Sequence, residues 1–536
     1  MSRDGVELPF NEIVTAELGA ELGCWWDLNN IFKQEAVPNF LFERNQSKAN
    51  IHSYFIPDLL SAPAFTILPC LQQSIMSPNL VASGRNGSRV PIDQVRIVDI
   101  ETFDLRFPTS LDASGSDAMN PAGDYSSAHI RLKTNVGLVG HGISFTIGRG
   151  NDLCTEAARQ TGQRLVGKTL GELTEDMGKT WRYLVADSQL RWVGPEKGVI
   201  HLGLSSCVNA LWDLWGRYLE KPVWKLVSDM TPEELVRCID FRYILDAITP
   251  NEAIDILKQV QQTKAERLED AARNKAVPAY TTQAGWLGFT DDRMKELIQE
   301  NIDAGIDKFK LKVGGNIEDD IRRLTIAREA IGPDRMLMID ANQVWSVSEA
   351  IKVMKKFVGF KPVFIEEPTS PDDILGHAAI REALKPYGVG VATGEHCQNR
   401  VIFKQLLQAG AIDYCQIDAC RLGGVNEVLA VLLMAKKFNV PVIPHSGGIG
   451  LNEYTQHLAM IDYICVSGQK SLLEHINSFN QVLKHPVQTK DGYFVTPWEV
   501  GYSVEYKPEA LAAYQYPHGS FWMSEQGLKI KTGPKL

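Results

Sequence analysis

The sequence predicts an α/β protein built on a parallel, TIM-like (β/α) barrel, with a smaller α+β domain ahead of it. Three observations predict this: short apolar runs that each end in an ionisable residue, near-constant spacing between them, and helical patterns in the gaps. The runs cover residues 309–313, 336–340, 363–366, 391–395, 414–418 and 441–445. Stepping from Lys312 through Asp340, Glu366, Glu395 and Asp418 to His445 takes 28, 26, 29, 23 and 27 residues. Each step is about one strand, one helix and two loops, and in such a barrel the strand C-termini converge on one mouth.

Residues 1–90 mix apolar fragments with a Ser/Gly/Arg/Asn stretch at 83–89 and read as an extension, partly disordered. Residues 91–235 form the small α+β domain. Runs at 95–103, 129–134 and 139–145 alternate as an antiparallel meander does, and helical patterns follow at 153–173 and 202–219. The Ser/Gly/Asp-rich loop at 108–125 has the length and composition of a functional lid. The charged segment 261–275 reads as a solvated helix before the first barrel strand at Tyr280-Thr281-Thr282. Barrel helices are expected at 291–301, 317–331, 347–357, 373–384, 400–408 and 425–438, giving a barrel over 236–480. Residues 481–536 lose the pattern and read as aromatic-rich loop with short elements.

A 536-residue chain with 44% hydrophobic and 22% charged residues has the material for a large core. Its net charge of −10 disfavours nucleic acid as a partner, since phosphate binding needs clustered Lys and Arg. Nine cysteines without C-x-x-C pairs, and no signal-type apolar core after Met1, point to a reducing, cytoplasmic setting. No apolar run reaches membrane-spanning length. The terminal Pro534-Lys535-Leu536 faintly resembles a peroxisomal address, and a mitochondrial location also stays open. The glycosylation patterns at Asn45 and Asn86 carry no weight without secretion.

Three carboxylates on successive strand ends, Asp340, Glu366 and Glu395, supply hard oxygen ligands that suit Mg²⁺ better than Zn²⁺. Strand-end carboxylates also serve as helix caps, but three consecutive ones argue for a metal. Glu367 should face away by strand alternation and be structural. Lys310 and Lys312 share a strand face, where a cation and a second ammonium favour the neutral amine that can take a proton. Asp418 can orient His445, so that Lys312 and His445 bracket a carbon next to a metal-bound carboxylate. Asn342, at the end of the Asp340 run, and Glu395 are candidate substrate contacts. Residues 162–169 match the P-loop pattern, but a helical stretch, not a strand, leads in, so the match is accidental.

These residues resemble the enolase superfamily, in its mandelate racemase subgroup: a capping domain over a (β/α)₇β barrel, a KxK pair, three carboxylate ligands and an Asp/His dyad. Over about residues 92–525 the chain further resembles the L-fuconate dehydratases and their animal homologues, through blocks at 107–111, 190–198, 239–243, 365–377 and 399–407. The resemblance implies a Mg²⁺-dependent hydro-lyase acting on a small sugar acid, L-fuconate or a close 6-deoxy aldonate. It further implies that Asp340, Glu366 and Glu395 bind Mg²⁺, that Lys312 takes the C2 proton and Lys310 holds the substrate carboxylate, while His445 and Asp418 work from the opposite face. Gly115, Ser116, Asp117 and Tyr125 match capping-loop residues that touch the polyol end, and 481–536 would return to the capping domain. The run into the eighth strand, 467–475, is several residues shorter than in the family; Glu474 is the residue that would replace a substrate-contacting glutamate, although it matches a later acidic position. Dehydration or epimerisation of another aldonate, such as galactonate or arabinonate, and a non-catalytic regulatory role are the alternatives. By analogy with the superfamily, a homo-oligomer is possible.

Overall fold

The computed structural model describes residues 89–194, 196–477 and 479–532. The expectations for residues 1–88, including Asn45 and Asn86, and for the terminal tripeptide lie outside the described residues.

Alternation in the first part of the chain produces three antiparallel strands, β1 (Ile97–Arg106), β2 (Ser126–Thr134) and β3 (Val139–Thr146), in the order β1-β2-β3. Helices α1 (Asn151–Gln163) and α2 (Gly198–Leu219) follow and pack on this sheet. The approach of α2 to β3 is close enough to need glycine: a Cβ on Gly142 would lie 2.0 Å from the Ser206 carbonyl oxygen. The helical pattern at 153–173 divides into α1 and a five-residue helix, Leu170–Thr174. Because α1 leads into Gly162, the P-loop-like octapeptide has the wrong context for phosphate.

The remaining elements alternate as the spacing predicted: β4 (Ala279–Thr281), α3 (Asp291–Asp303), β5 (Lys308–Lys312), α4 (Ile317–Ile331), β6 (Met336–Asp340), α5 (Val347–Phe357), β7 (Phe364–Glu366), α6 (Ile374–Leu384), β8 (Gly390–Thr393), α7 (Arg400–Gln408), β9 (Tyr414–Cys415), α8 (Val425–Lys437), α9 (Leu451–Ile461) and β10 (Leu473–His475). The seven strands run in the order β10-β4-β5-β6-β7-β8-β9, every pair parallel. Between β9 and β10 lies residue run 441–445, which pairs in parallel through Val442 with Cys415 and through the His445 amide, 3.0 Å from the Ile417 carbonyl oxygen. With that run counted, seven helices and eight strand positions make the (β/α)₇β barrel. Thr290, Asn316 and Asn399 cap α3, α4 and α7 through their side chains, which fixes where these helices begin.

Two expectations about helices need correcting. Residues 261–275 are not simply solvated: the helix Lys264–Ala272 buries Arg267, whose guanidinium donates to the Ile464 carbonyl at 3.0 Å. A helix over Leu451–Ile461, α9, is also absent from the expectations; its polar residues Asn452, Glu453, Thr455, Gln456 and His457 are buried together with its apolar ones. The C-terminal segment forms two short helices, Pro508–Tyr514 and Glu525–Thr532, and meets β1: Trp522 Nε1 donates to the Arg106 carbonyl at 3.1 Å, and the Tyr516 amide to Asp104 at 2.8 Å. No helix among the described residues is long and apolar enough to cross a membrane.

We expect Gly142→Ala to cost about 1–3 kcal/mol of stability, because the added methyl must force β3 and α2 apart. Urea denaturation measures this directly, and an unchanged midpoint would show that the sheet yields freely.

Candidate active site

Parallel pairing places the candidate groups at one level. In register, Lys312 lies opposite Asp340, and Asp340 opposite Glu366. Ligand oxygens of Asp340, Glu366 and Glu395 all fall within 4.8 Å of one another, and all three residues are buried. Glu395 Oε2 is buried with no hydrogen-bond partner. An acceptor without a hydrogen bond at the meeting point of three carboxylates is what a hard divalent cation would satisfy, so the donor set fits such an ion.

Lys312 Nζ lies 2.6 Å from Asp340 Oδ2, and its side chain keeps 12% of its exposure, toward the cavity. Burial pulls its pKa down, but Asp340 foremost outweighs that and raises it above the ordinary lysine value. The neighbouring ammonium of Lys310 lowers it, in the direction expected from the sequence, but the carboxylates dominate. Lys310 itself is fully buried, its Nζ 2.7 Å from Glu366 Oε2, 3.6 Å from Asp340 and 3.4 Å from Glu474.

His445 Nδ1 is 2.7 Å from Asp418 Oδ2, and His445 Nε2 is 3.6 Å from Glu395. The other oxygen of Asp418 accepts the amides of Cys420 and Arg421, each at 2.7 Å, which fixes the carboxylate. Desolvation would lower the imidazole pKa, but Glu395 and then Asp418 raise it to about 10, so His445 is an imidazolium at neutral pH. Glu474, on β10, accepts hydrogen bonds from Thr282 Oγ1 and from the Ser446 amide. Despite the shortened run before it, this carboxylate reaches the barrel mouth.

A cavity of about 300 Å³ opens above these groups, lined among others by Gly115, Asp117, Tyr125, Lys312, Asn342, Glu395, Asp418, His445 and Glu474. Nine of the candidate residues are thus brought together around one space. Ser116 is not among them; its hydroxyl accepts the Gly288 amide at 2.8 Å and ties the 108–125 loop to the barrel. Lys310, Asp340 and Glu366 are fully buried and do not line the cavity; Lys310, expected to hold a substrate carboxylate, faces Glu366 and Asp340. Gly115 is required where it stands: its φ is +78°, and a Cβ would meet the Tyr125 hydroxyl at 2.2 Å. Glu367 is fully buried off the cavity, accepting from Gln343 Nε2 at 2.9 Å and paired with His396 Nδ1 at 3.0 Å. Sequence reasoning missed Gln343, His396, Arg421, Arg149 and Thr282 on the cavity wall. The first two directly follow named candidates, which was a usable signal; the arginines sit in loops without any pattern.

A family model described as Enolase C-terminal domain-like matches residues 293–510. A relative named L-galactonate dehydratase, from Hypocrea jecorina, is 61% identical over 450 residues, covering 83% of this chain and 100% of its own length. Mitochondrial enolase superfamily member 1 of Homo sapiens is 49% identical over 431 residues, covering 80% and 97%. The crystal structure of that human protein superposes with a TM-score of 0.80 at 47% identity, over 83% of this chain and 100% of that one. At 24% identity, a TM-score of 0.61 and coverage of 82% and 96%, the L-talarate/galactarate dehydratase of Salmonella typhimurium, solved with Mg and L-lyxarohydroxamate, shares the fold. None of these relatives is named for L-fuconate, so the resemblance holds at the level of the superfamily.

Replacing Lys310 by Met should cost about 3–5 kcal/mol, since Glu366 and Glu474 would be left buried beside Asp340 without their ammonium. Chemical denaturation of Lys310→Met tests this; a loss below about 1 kcal/mol would mean that the carboxylates are satisfied without it. The barrel, the strand-end carboxylates and the full-length match to a relative agree: the chain belongs to the enolase superfamily.

Proposed function

We propose that the protein is a Mg²⁺-dependent acid-sugar dehydratase that removes water across C2 and C3 of an aldonate. The observation that carries this reading is the pairing, across one cavity, of Lys312 and the Asp418-supported His445 beside three carboxylates that fit a divalent cation. The names of the relatives from Hypocrea jecorina and Salmonella typhimurium, both dehydratases of sugar acids, support the same class.

Asp340, Glu366 and Glu395 would hold the cation. When bound, it supplies positive charge that offsets these carboxylates, easing proton release from Lys312, and that balances the negative charge developing on the substrate carboxylate as its α-proton leaves. Lys312 takes the C2 proton. His445, already an imidazolium, donates a proton to the 3-hydroxyl, which departs as water. The resulting enol ketonises to a 2-keto-3-deoxy acid, and both side chains return to their starting protonation through solvent. Glu474 and Asn342 face the reacting end, while Asp117 and Tyr125 from the 108–125 loop face the polyol.

L-fuconate is 6-deoxy-L-galactonate, so the two substrates named for relatives and for the resembling family differ only at C6. We place L-galactonate first, on the 61% identical relative, with L-fuconate second. Epimerisation at C2 would use the same two proton-transfer groups and is the rival reading.

Three outcomes test the proposal. Purified protein with Mg²⁺ should form a 2-keto acid from L-galactonate or L-fuconate, and Lys312→Ala should lower kcat by about 10²–10⁴-fold or more. No turnover across a panel of aldonates, with Mg²⁺ bound, would instead favour a non-catalytic homologue. Chelation should abolish turnover and added Mg²⁺ restore it. In the pH profile, activity should fall as pH rises and His445 loses its proton; Asp418→Asn removes one charge that raises that pKa, so the alkaline limb should move to lower pH. An unmoved limb would take the acid role from His445.

A further inference from the structure

A second cavity lies at the opposite end of the barrel. Met336 begins β6 where Asp340 ends it, and Tyr414 begins β9, from which the chain runs on to Asp418. Met336, Val363, Tyr414 and Leu472 line a space of about 420 Å³ at these strand starts. Inside the barrel, Tyr280, Met338, Phe364, Ala392 and Ile443 form an apolar plug, and the Tyr280 ring meets the Lys310 ammonium at 5.6 Å. The plug thus stands between this space and the buried charges at the mouth. Side chains normally fill such a barrel in layers. Here Val363, Tyr414 and Leu472 pack on the plug yet stay only partly buried, so the lowest layer is incomplete.

One polar group in this apolar setting lacks a partner. Helix α9 runs into a single π-helical turn, Asp462–Val466, a widened geometry that often accompanies function. Asp462 lines the cavity and is 3% exposed. Its Oδ2 accepts the Ser467 hydroxyl at 3.0 Å, whereas Oδ1 has no hydrogen-bond partner among the described residues. Two ammoniums on the cavity wall are committed elsewhere: Lys436 donates to the Ser467 carbonyl at 2.9 Å, and Lys470 pairs with Asp270 at 2.7 Å. Burial raises the Asp462 carboxyl pKa to about 7, although Ser467 and Lys436 pull it down. A buried carboxylate without a counter-ion is costly, and a cationic N–H donor offsets that cost best. Apolar and aromatic walls with one such polar group are the usual composition of a small-molecule site.

We propose that the basal cavity is a second ligand site, which takes a small aromatic nitrogen cation whose N–H groups pair with Asp462 while its ring lies against Tyr414. The site is separate from the cavity at the mouth, and the inference does not depend on the reaction assigned above.

The test is calorimetric titration of the full-length, Mg²⁺-loaded protein with benzamidine, at about pH 8 so that Asp462 is ionised. One molecule should bind with a Kd of about 1 mM or tighter. Benzoate, of the same shape and opposite charge, should bind at least about tenfold more weakly. Asp462→Asn keeps the shape and removes the charge, so it should weaken benzamidine about tenfold or more. Met336→Trp, at the 44% exposed rim, should obstruct entry and abolish binding. Neither residue touches the three carboxylates at the mouth, so both variants should bind Mg²⁺ as the parent does; if Asp462→Asn fails to fold, Met336→Trp decides. No benzamidine binding at about 10 mM would overturn the proposal. So would binding that survives both variants, or that L-galactonate displaces, because the probe would then sit elsewhere.

Discussion

The mouth of the barrel depends on one concentration of buried charge. Lys310 is enclosed by Glu366, Asp340 and Glu474, with the Tyr280 ring 5.6 Å from its ammonium. Burying any of these ions alone would be prohibitive, so each requires the others. Burial drives the Glu366 carboxyl well above its ordinary pKa, against the pull of Lys310, while Asp340 is held low by Lys312 and Lys310 and Glu474 is lowered to about 2. When all are ionised, the four carboxylates Asp340, Glu366, Glu395 and Glu474 outnumber the two ammoniums of Lys310 and Lys312, a balance that a divalent cation would restore.

A second buried network joins the barrel to the layer above it. Glu427, on α8, pairs with His201 of α2 at 2.7 Å and with Arg400 of α7 at 3.1 Å, and Arg400 reaches Glu196 at 2.7 Å. Trp212 and Trp181 add indole hydrogen bonds from the cap side to Asn426 and to the Gly423 carbonyl. These links fix the position of the antiparallel sheet over the mouth. They thereby fix the loop that brings Asp117 and Tyr125 to the cavity, so these two residues and the Lys312 and His445 side chains are held around one space by the same packing.

The barrel was legible because each strand carries its chemistry at a fixed place: Lys312, Asp340, Glu366, Glu395, Asp418 and His445 all close apolar runs, and parallel pairing converts that spacing into one ring. What escaped did so for physical reasons. Helix α9 buries Asn452, Glu453, Thr455, Gln456 and His457 along with its apolar residues, so its polar side does not mark a solvent face. Lys310 and Lys312 look equivalent in sequence, and only the depth of the strand separates a buried counter-charge from a cavity-lining amine. Arg149 and Arg421 stand in loops whose convergence depends on how the cap docks, which no local pattern encodes. The short run before β10 looked like a loss, yet β10 pairs with β4 and delivers Glu474 to the mouth.

Loss of water initiated at C2 is tested most directly by the mass spectrum of the product formed from L-galactonate in D₂O with Mg²⁺. Dehydration gives a product lighter by one water, carrying one solvent deuterium at C3 from ketonisation of the enol. A product that keeps every oxygen and carries deuterium at C2 would identify an epimerase and contradict it.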